Sequence, residues 1–353
     1  MIRRIPPGLV ALVLLADGFA YGQQFSVAES RITRHAKAAR DGEPSVNGFS
    51  APVLGYLLDG AGAVRKMPGV AGATWLTGPL EFGVVLAAGA VSPRQDYLLG
   101  LAAPDRRPMV LPLAALAGAR TLDGVAAGAD RVVLSPSGTA AVFYFSQTAS
   151  LTIVTGLPDS PVPGGNVDLS GLPAPPAGLA ISDDGSVILA SASTSDGAAV
   201  FVLSAQSAPR LLLNGGDFPA LAFRRRSLDA VLADRLRNAL YWAGDVAGPG
   251  EVVLLAGESD GVSAPIAVAA SADGARIFVA NSGSATIGYL SAAGGPLTLL
   301  SCSCSPAALA PLSGNAVFRL TEFSNDPIWL LDGDASEPRL LLAPQPSSGR
   351  TAR

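Results

Sequence analysis

The feature that most constrains the fold is a short turn that recurs along the chain at nearly constant spacing. Its clearest copies begin with serine, and two of them read Ser-x-Asp-Gly: Ser92–Asp96, Ser135–Thr139, Ser182–Ser186 and Ser271–Ala275, at intervals of 43, 47 and 89 residues, the last being two units. Less regular members are expected at Arg224–Leu228 and Leu312–Asn315. A second marker, Pro-Arg-Leu-Leu-Leu, begins at Pro209 and again at Pro338, 129 residues or three periods later. A period in the forties is typical of β-propeller blades.

Each period contains four short apolar runs. In Ile266–Pro306 these runs are separated by Ser, Gly, Ala and Asp turns too short to hold a helix, which predicts a four-stranded antiparallel meander. Runs such as Val187–Ala190 are apolar at consecutive positions, so both faces of the strand must be covered. Stacked blades cover both faces, whereas a one-sided sandwich would alternate apolar with polar residues.

Six full units follow one leading hairpin. The units are about Ala87–Val125, Asp130–Leu169, Gly178–Gly215, Ala220–Gly257, Ile266–Ser301 and Ala307–Ala343. The hairpin joins Val53–Leu58 to Ala63–Met67 through Asp59-Gly60. Gly55-Tyr56-Leu57 recurs as Gly288-Tyr289-Leu290, which predicts that this hairpin holds the third and fourth strand positions, with Pro68–Gly83 as an irregular connector. We therefore predict an all-β propeller of seven four-stranded blades, of which the first is irregular. The alternative is a propeller of six blades, with the hairpin packed outside the ring.

One unit carries a family resemblance. Ala270-Ser-Ala-Asp-Gly-Ala-Arg-Ile-Phe-Val-Ala-Asn281, followed by Ser284-Ala-Thr-Ile-Gly-Tyr-Leu290, resembles the YVTN family of β-propeller repeats, and Ala180–Val202 resembles it in part. The resemblance implies a similar fold. It implies little about activity, because such propellers host binding, scaffolding and hydrolysis alike. Lactonase-type propellers are similar in fold, but no catalytic histidine comes with the resemblance, so their activity is not carried over.

The N-terminus has the layout of a secretory signal peptide. Met1–Gly22 has a basic start, an apolar run from Leu9 to Ala16 and small residues before Gln23, which predicts cleavage after Gly22. The alternative is an uncleaved anchor, for which the run is short. We expect a flexible segment over residues 23–51, the propeller over 52–346 and a disordered tail over 347–353. The protein is then expected to be exported, either periplasmic or secreted.

Composition excludes several functions. The net charge of −4 and a pI of about 5.1 argue against binding to nucleic acid, which needs a basic surface. The mean hydropathy of +0.39 reflects small apolar residues in short strands, and no run beyond residue 22 is long enough for a membrane span. His35 is the single histidine and lies outside every repeat, so neither a Ser-His-Asp arrangement nor an imidazole zinc site can form in the propeller. We predict no metal and no cofactor.

Cys302 and Cys304 are the two cysteines of the chain. On a strand, thiols at positions i and i+2 point to one face. The functional interpretation is a disulfide with redox activity, or a soft-metal site, in an exported protein. The alternative is a pair with a structural role only. Two thiolates without neighbouring Met or His make half a metal site, and a bridge from i to i+2 strains the loop.

Polar residues gather in the loops between second and third strands, on the rim that also holds the crossings from blade to blade. These residues are Asp105, Arg106, Arg107, Asp196, Asp234, Arg235, Arg237, Asn238, Asn281, Asn325 and Asp326. Around a channel mouth they could bind a small polar ligand or a protein; alternatively they are polar because water surrounds them. Arg224–Arg226 is expected in a turn on the opposite rim. These arginines either bind an anion or simply face solvent.

Residue chemistry favours binding over catalysis. We expect an exported, monomeric, non-catalytic binding or scaffold module that acts through one rim, because the acid–base residues of a hydrolase are few. The alternative is a carboxylate-dependent hydrolase or lactonase-like enzyme at the channel mouth, with Asp234 or Asp196 as base. A third class, an envelope-assembly partner, would show an exposed apolar patch on one rim.

Overall fold

Seven antiparallel sheets form a closed ring in the computed structural model, which describes residues 51–114, 118–324 and 326–345. Each sheet holds four strands that are consecutive in the chain, so each sheet is one blade. The seven-bladed propeller with an irregular first blade is confirmed, and the six-bladed alternative is excluded. No described segment forms an α-helix; a single 3-10 turn spans Glu258–Asp260.

The strands follow the predicted units closely. The first blade contains β1 (Val53–Leu58), β2 (Val64–Val70), β3 (Ala73–Thr74) and β4 (Pro79–Leu80). The second and third blades contain β5 (Leu86–Val91), β6 (Tyr97–Ala102), β7 (Arg107–Pro112), β8 (Arg120–Thr121), β9 (Arg131–Leu134), β10 (Ala140–Phe145), β11 (Ser150–Thr155) and β12 (Val162–Asp168). The fourth and fifth contain β13 (Gly178–Ile181), β14 (Ile188–Thr194), β15 (Gly197–Ser204), β16 (Ser207–Gly215), β17 (Ala220–Phe223), β18 (Ala230–Asp234), β19 (Ala239–Gly244) and β20 (Glu251–Ala256). The last two contain β21 (Pro265–Ala270), β22 (Arg276–Asn281), β23 (Thr286–Ser291), β24 (Thr298–Ser301), β25 (Ala310–Pro311), β26 (Val317–Arg319), β27 (Ile328–Asp332) and β28 (Arg339–Ala343).

Face-to-face packing of the blades buries the second strands on both sides. Every residue of β6 and of β18 is buried, which explains why these sequences are apolar at consecutive positions. The hydrophobic clusters lie between neighbouring blades: Val231 and Leu240 of the fifth blade pack with Ile277 and Val279 of the sixth. The core is therefore a ring of interfaces between blades.

The recurring serine turn connects the first and second strands of its blade. In four blades its serine is 0 or 1% exposed, and in the third blade Ser135 Oγ accepts hydrogen bonds from the N–H groups of Thr139 and Ala140. The fourth turn residue, Gly138 or Gly185 for example, has φ near 70°, where a side chain is unfavourable. We call the face that holds these turns the turn rim, and the opposite face, with the blade-to-blade crossings, the crossing rim.

The first blade departs from the predicted strand positions. Its hairpin forms the first two strands of the described sheet, not the last two, since β1 pairs with β2 alone and β2 then pairs with β3 and β4. β3 and β4 lie in Pro68–Gly83, which therefore contains an interrupted strand and not merely a connector. The Gly-Tyr-Leu match misled because an apolar tripeptide suits any buried strand position.

The ring closes without a strand shared between the first and last blades, as far as the described residues show. The closure uses packing of Leu54 and Met67 against Leu312 and Ile328, and a hydrogen bond of 2.7 Å from Ser313 N–H to the carbonyl of Leu54. Among the described residues, the first and seventh blades are therefore joined by side-chain packing and turn contacts, and not by strand pairing.

Gln95 adds a hydrogen-bonded connection at this closure. Its Oε1 accepts from Tyr56 N–H at 2.7 Å in the first blade, and its Nε2 donates to the Pro311 carbonyl at 2.7 Å in the seventh. Gln95 is 8% exposed and has φ of 61°, at the position where Gly138 stands in the next blade. A side chain at this φ costs free energy, which the two cross-blade hydrogen bonds offset.

The predicted signal peptide, most of the predicted flexible segment and the tail from residue 346 lie outside the described residues. Within them, no helix has the length and apolar character that crossing a bilayer requires.

We expect Gln95→Ala to lower the free energy of unfolding by about 2 kcal/mol or more, since each buried backbone group left without a partner costs about 1–3 kcal/mol. Urea unfolding followed by fluorescence measures this. Gln206→Ala, in an exposed turn of the fourth blade, is the matched control and is expected to change stability by less than about 0.5 kcal/mol. Equal stability of the two variants would contradict the proposed role of Gln95.

Candidate functional site

The polar residues predicted to form a binding rim lie in the loops between second and third strands or at the adjoining strand ends, on the crossing rim. Two pairs among them contact each other: Arg107 Nη2 lies 2.9 Å from Asp105 Oδ2, and Arg237 Nε lies 3.8 Å from Asp234 Oδ2. Each of these pairs belongs to a single loop. The observed contacts therefore do not join the set into one cluster across the channel mouth.

Asp234 and Asn281 are fully buried and saturated with internal hydrogen bonds. Asp234 accepts from the N–H groups of Gly216, Asp217 and Arg237 at 2.7 to 3.1 Å, so it ties its loop to the crossing that precedes its blade. Asn281 does the same one blade later: Oδ1 accepts from Ser263 N–H, and Nδ2 donates to Thr286 Oγ1 and to the carbonyl of Gly261. Both side chains hold backbone in place.

The remaining members of the predicted set make local contacts. Arg106 pairs with Asp130 at 2.9 Å, and Arg235 pairs with Asp217 at 2.6 Å, each linking a loop to a blade-to-blade crossing. Asn238 Oδ1 accepts from Ala264 N–H. Asp196 is exposed, and the Asp326 carbonyl accepts from Gln345 Nε2 at 3.1 Å. Asn325 lies outside the described residues.

We expect Asp234→Ala to destabilise the protein by about 3 kcal/mol, because three backbone donors lose a charged acceptor. Asp196→Ala, which removes the other carboxylate considered as a base on this rim, is expected to change stability by less than about 0.5 kcal/mol. Thermal and urea unfolding of both variants give the measurement. A fully stable Asp234→Ala protein would show that this carboxylate is not structural.

Cys302 and Cys304 are bonded to each other in a disulfide in the crossing after β24. This is the disulfide among the alternatives considered from the sequence; redox activity stays a prediction. Among the described residues, no cluster of three His, Cys, Asp or Glu side chains could hold a metal ion.

A cavity of about 480 Å³ occupies the central channel at the turn rim. Its walls are mainly the first strands of the blades, from which Leu134, Leu179, Leu221, Phe223 and Val268 contribute the larger apolar side chains. Phe318 of β26, a second strand, adds another. Inner strands have one face toward the channel and one into the blade interface, so their continuous apolar character places an apolar surface in the channel. Concave apolar surfaces with a few polar groups are the usual form of ligand sites.

Two guanidinium groups stand among the residues that line this cavity, and no carboxylate does within the described chain. Arg94 is paired with Asp96 at 2.9 Å. Arg225 forms no ion pair with a described residue, and its Nε is shielded from solvent without a hydrogen-bond partner. The mouth therefore carries positive charge, with at least one cation free to engage an anion.

The other two arginines of Arg224–Arg226 do not line this cavity. Arg224 pairs with Asp229 at 3.0 Å and lies over the ring of Trp242. The backbone N–H of Arg226 donates to Asp183 Oδ2 at 2.7 Å. Of the three, Arg225 lines the cavity. The sequence alone does not distinguish it from its neighbours.

Carboxylates on the turn rim hold neighbouring turns together. Asp183 accepts from Ser137 N–H in the third blade and from Arg226 N–H in the fifth, so it links three consecutive blades. Asp273 accepts from Ser271 Oγ at 2.5 Å, and from Ala275 N–H and Asn315 Nδ2 at 2.9 Å each. The cavity mouth is thus framed by turns that are fixed relative to one another.

Hydrogen bonding makes the Asp273 carboxyl sensitive to acid. The bond from Ser271 Oγ, followed by that from Ala275 N–H, holds the pKa of Asp273 below its usual value. A group whose pKa is depressed on folding contributes stability above its unfolded pKa and loses that contribution as pH falls through the folded value. The affected window lies below about pH 4.

We expect the melting temperature to change little between pH 7 and pH 5 and to fall below about pH 4. Asp273→Asn should be less stable than the native protein at pH 7 and show a shallower fall in acid. Asp123→Asn, at an exposed carboxylate, is the control and should follow the native profile. Parallel acid profiles for Asp273→Asn and the native protein would contradict the assignment.

The comparisons with known proteins support the fold alone. No protein-family model matches the sequence, and the comparison with curated proteins gives no match. Among solved structures, a protein from Lactobacillus plantarum is similar, with 17% identity over 83% of this chain and 96% of that one, and a TM-score of 0.55. A chain of the mitotic checkpoint complex has 13% identity over 78% and 90%, with a TM-score of 0.51. Hydrazine synthase from Kuenenia stuttgartiensis has 12% identity over 86% and 99%, with a TM-score of 0.50.

These structural neighbours are β-propellers, in agreement with the seven blades described above. At such identities the likeness carries no residue roles. The cavity itself was missed by reasoning from the sequence, which directed attention to charged loops. The available signal was the apolar inner strands, whose exposed faces have to converge on the channel once the ring closes.

Proposed function

We propose that the protein is a non-catalytic binding module whose ligand enters the channel from the turn rim. The ligand class is a molecule with an apolar body and an anionic group. The body is buried in the cavity and the anion is held by Arg225, while Arg94 adds positive charge to the same lining. The observation that carries this proposal is an apolar cavity whose lining includes two guanidinium groups and no described carboxylate.

Physical chemistry supports each half of this ligand. Apolar walls gain about 0.8 kcal/mol for each methylene removed from water, so an aliphatic or aromatic group is favoured in the cavity. A guanidinium presents paired N–H donors that match the oxygens of carboxylate, phosphate or sulfonate. None of the ion pairs among the described residues involves Arg225, which leaves its charge available for such a partner.

A carboxylate-dependent enzyme finds less support. Of the two carboxylates considered as a base, Asp234 is occupied by three backbone N–H groups and Asp196 is exposed on the opposite rim. Neither lines the apolar cavity. Binding of a polar ligand or protein by the crossing-rim residues stays a prediction.

We also propose that the chain is exported and that its blades are of the YVTN type. Export rests on the signal-like layout of Met1–Gly22 and accords with the Cys302–Cys304 disulfide, since disulfides persist in oxidising compartments. The YVTN assignment rests on the Ser271–Ala275 turn followed by the Ile277–Asn281 strand. In this turn Ser271 Oγ accepts a hydrogen bond from Arg276 N–H, and Gly274 has the left-handed backbone conformation.

Titration with 8-anilinonaphthalene-1-sulfonate, followed by competition with dodecanoate or dodecylamine, tests the binding site. We expect one saturable site per chain, displaced by dodecanoate and at least tenfold less well by dodecylamine. The Arg94→Ala/Arg225→Ala double variant should bind dodecanoate at least tenfold more weakly, since a hydrogen bond to a charged group contributes about 1.5–3 kcal/mol.

The matched control is Arg107→Ala/Arg235→Ala, which removes the same charge from the crossing rim. It should leave dodecanoate binding unchanged. Equal displacement by the amine, or equal loss in the two double variants, would contradict the proposal. A native protein with no saturable site would contradict it as well.

A further inference from the structure

The Cys302–Cys304 disulfide is a feature that the proposed ligand site does not use. It lies in the crossing from β24 to β25, on the crossing rim, and joins two residues that are separated by Ser303 alone. These are the two cysteines of the whole sequence, so the chain has no third thiol that could exchange with them. Any exchange of this disulfide therefore needs a thiol from another molecule.

A disulfide of this spacing adds little to the stability of the fold. In the chain-entropy account the gain grows with the length of the loop that the bond closes, and this loop has one residue between the cysteines. Backbone hydrogen bonds already hold the crossing at both ends. Cys302 N–H donates to the carbonyl of Ala285 at 2.9 Å. The N–H groups of Ala307 and Ala308 donate to the carbonyl of Leu320 at 2.8 and 3.1 Å.

Access from solvent differs between the two cysteines. Cys302 is 7% exposed, whereas Cys304 is partly exposed. Ser303 and Ser305, on either side of Cys304, are exposed, so small side chains border the approach. Because exchange depends on which sulfur an incoming thiolate can reach, attack is favoured at Cys304. Exposed disulfides are also the ones that exchange most readily.

We propose that Cys302 and Cys304 form a thiol–disulfide exchange centre whose reaction partner is a dithiol, a molecule with two neighbouring thiol groups. One thiolate of the dithiol attacks Cys304 Sγ. The bond between the two cysteine sulfurs breaks, a mixed disulfide forms at Cys304, and Cys302 leaves as a thiolate that takes up a proton.

The second step completes the transfer. The other thiol of the dithiol loses its proton and attacks its own partner sulfur in the mixed disulfide, and Cys304 leaves as a thiolate that takes up a proton. The dithiol is thereby oxidised by two electrons to an intramolecular disulfide. The cysteine pair is reduced by the same two electrons to two thiols.

The geometry favours a dithiol over a monothiol. The Cα atoms of Cys302 and Cys304 lie 5.0 Å apart, and the crossing stays in place through its backbone hydrogen bonds when the disulfide opens. Cys302 therefore remains beside a mixed disulfide at Cys304 and expels a monothiol by re-forming the original bond. A dithiol completes the exchange because its second thiol is equally close.

Reduction of the folded protein is the first test. Native protein is treated with dithiothreitol in buffer and in concentrated urea, alkylated at intervals and weighed by mass spectrometry. The rate in buffer should lie within about tenfold of the rate in urea, because folding leaves Cys304 accessible. With glutathione in place of dithiothreitol, the mixed disulfide should not accumulate.

The single-cysteine variants Cys302→Ser and Cys304→Ser form a matched pair that tests which sulfur is attacked. With glutathione disulfide, Cys302→Ser, which keeps Cys304, should form a mixed disulfide about tenfold faster than Cys304→Ser, which keeps Cys302, because reactivity follows exposure. The melting temperature of each variant should lie within about 4 °C of the native value, since the loop is short.

Reduction in buffer that is slower than in urea by more than about tenfold would overturn the proposal, because the bond would then be shielded by the fold. Equal rates for the two single-cysteine variants would contradict attack at Cys304. Accumulation of a glutathione mixed disulfide on the native protein would contradict the preference for a dithiol. A larger loss of melting temperature in both variants would show that the disulfide is structural.

Discussion

The burial of the second strands of the blades on both faces is the constraint on which the structure depends. A sheet with two apolar faces is stable only when a neighbour covers each face, and a ring satisfies this for all seven blades at once. Leu98 and Leu99 illustrate the point, since they are adjacent in β6, point to opposite faces and are both fully buried. The short strands and small residues follow from this constraint, because they let sheets approach closely around a narrow channel.

Polar groups then fix how the blades are oriented. On the turn rim, Asp183 and Asp273 connect turns of neighbouring blades, and on the crossing rim Asp234 and Asn281 bind the loops to the crossings. These side chains are charged or polar in the sequence and look available for chemistry. In the structure most of their hydrogen-bonding capacity is used internally, which leaves Arg225 as the better candidate for recognition.

A cavity beside the first blade shares the walls around Val91 and Pro311 with the channel cavity, so the first blade and the binding channel are physically linked. Gln95 stands between them, bonded to both ends of the ring. Closure of the ring and the shape of the binding site depend on one region of the molecule.

The sequence by itself determined the propeller architecture, the four-strand period and the serine turns, because these depend on local turn chemistry and on apolar runs that recur every forty-odd residues. It favoured seven blades over six, and the structure decided between them. It also showed that the repeats themselves contain no histidine. It misplaced the first hairpin, since Gly55-Tyr56-Leu57 carries no information on which neighbour lies beyond β1. Only the tertiary structure decided that Asp234 is saturated, that Arg225 and not Arg224 lines the cavity, and that the channel is apolar. These properties depend on which residues of distant blades contact each other. A sequence pattern gives the composition of each strand but does not give its contacts in other blades.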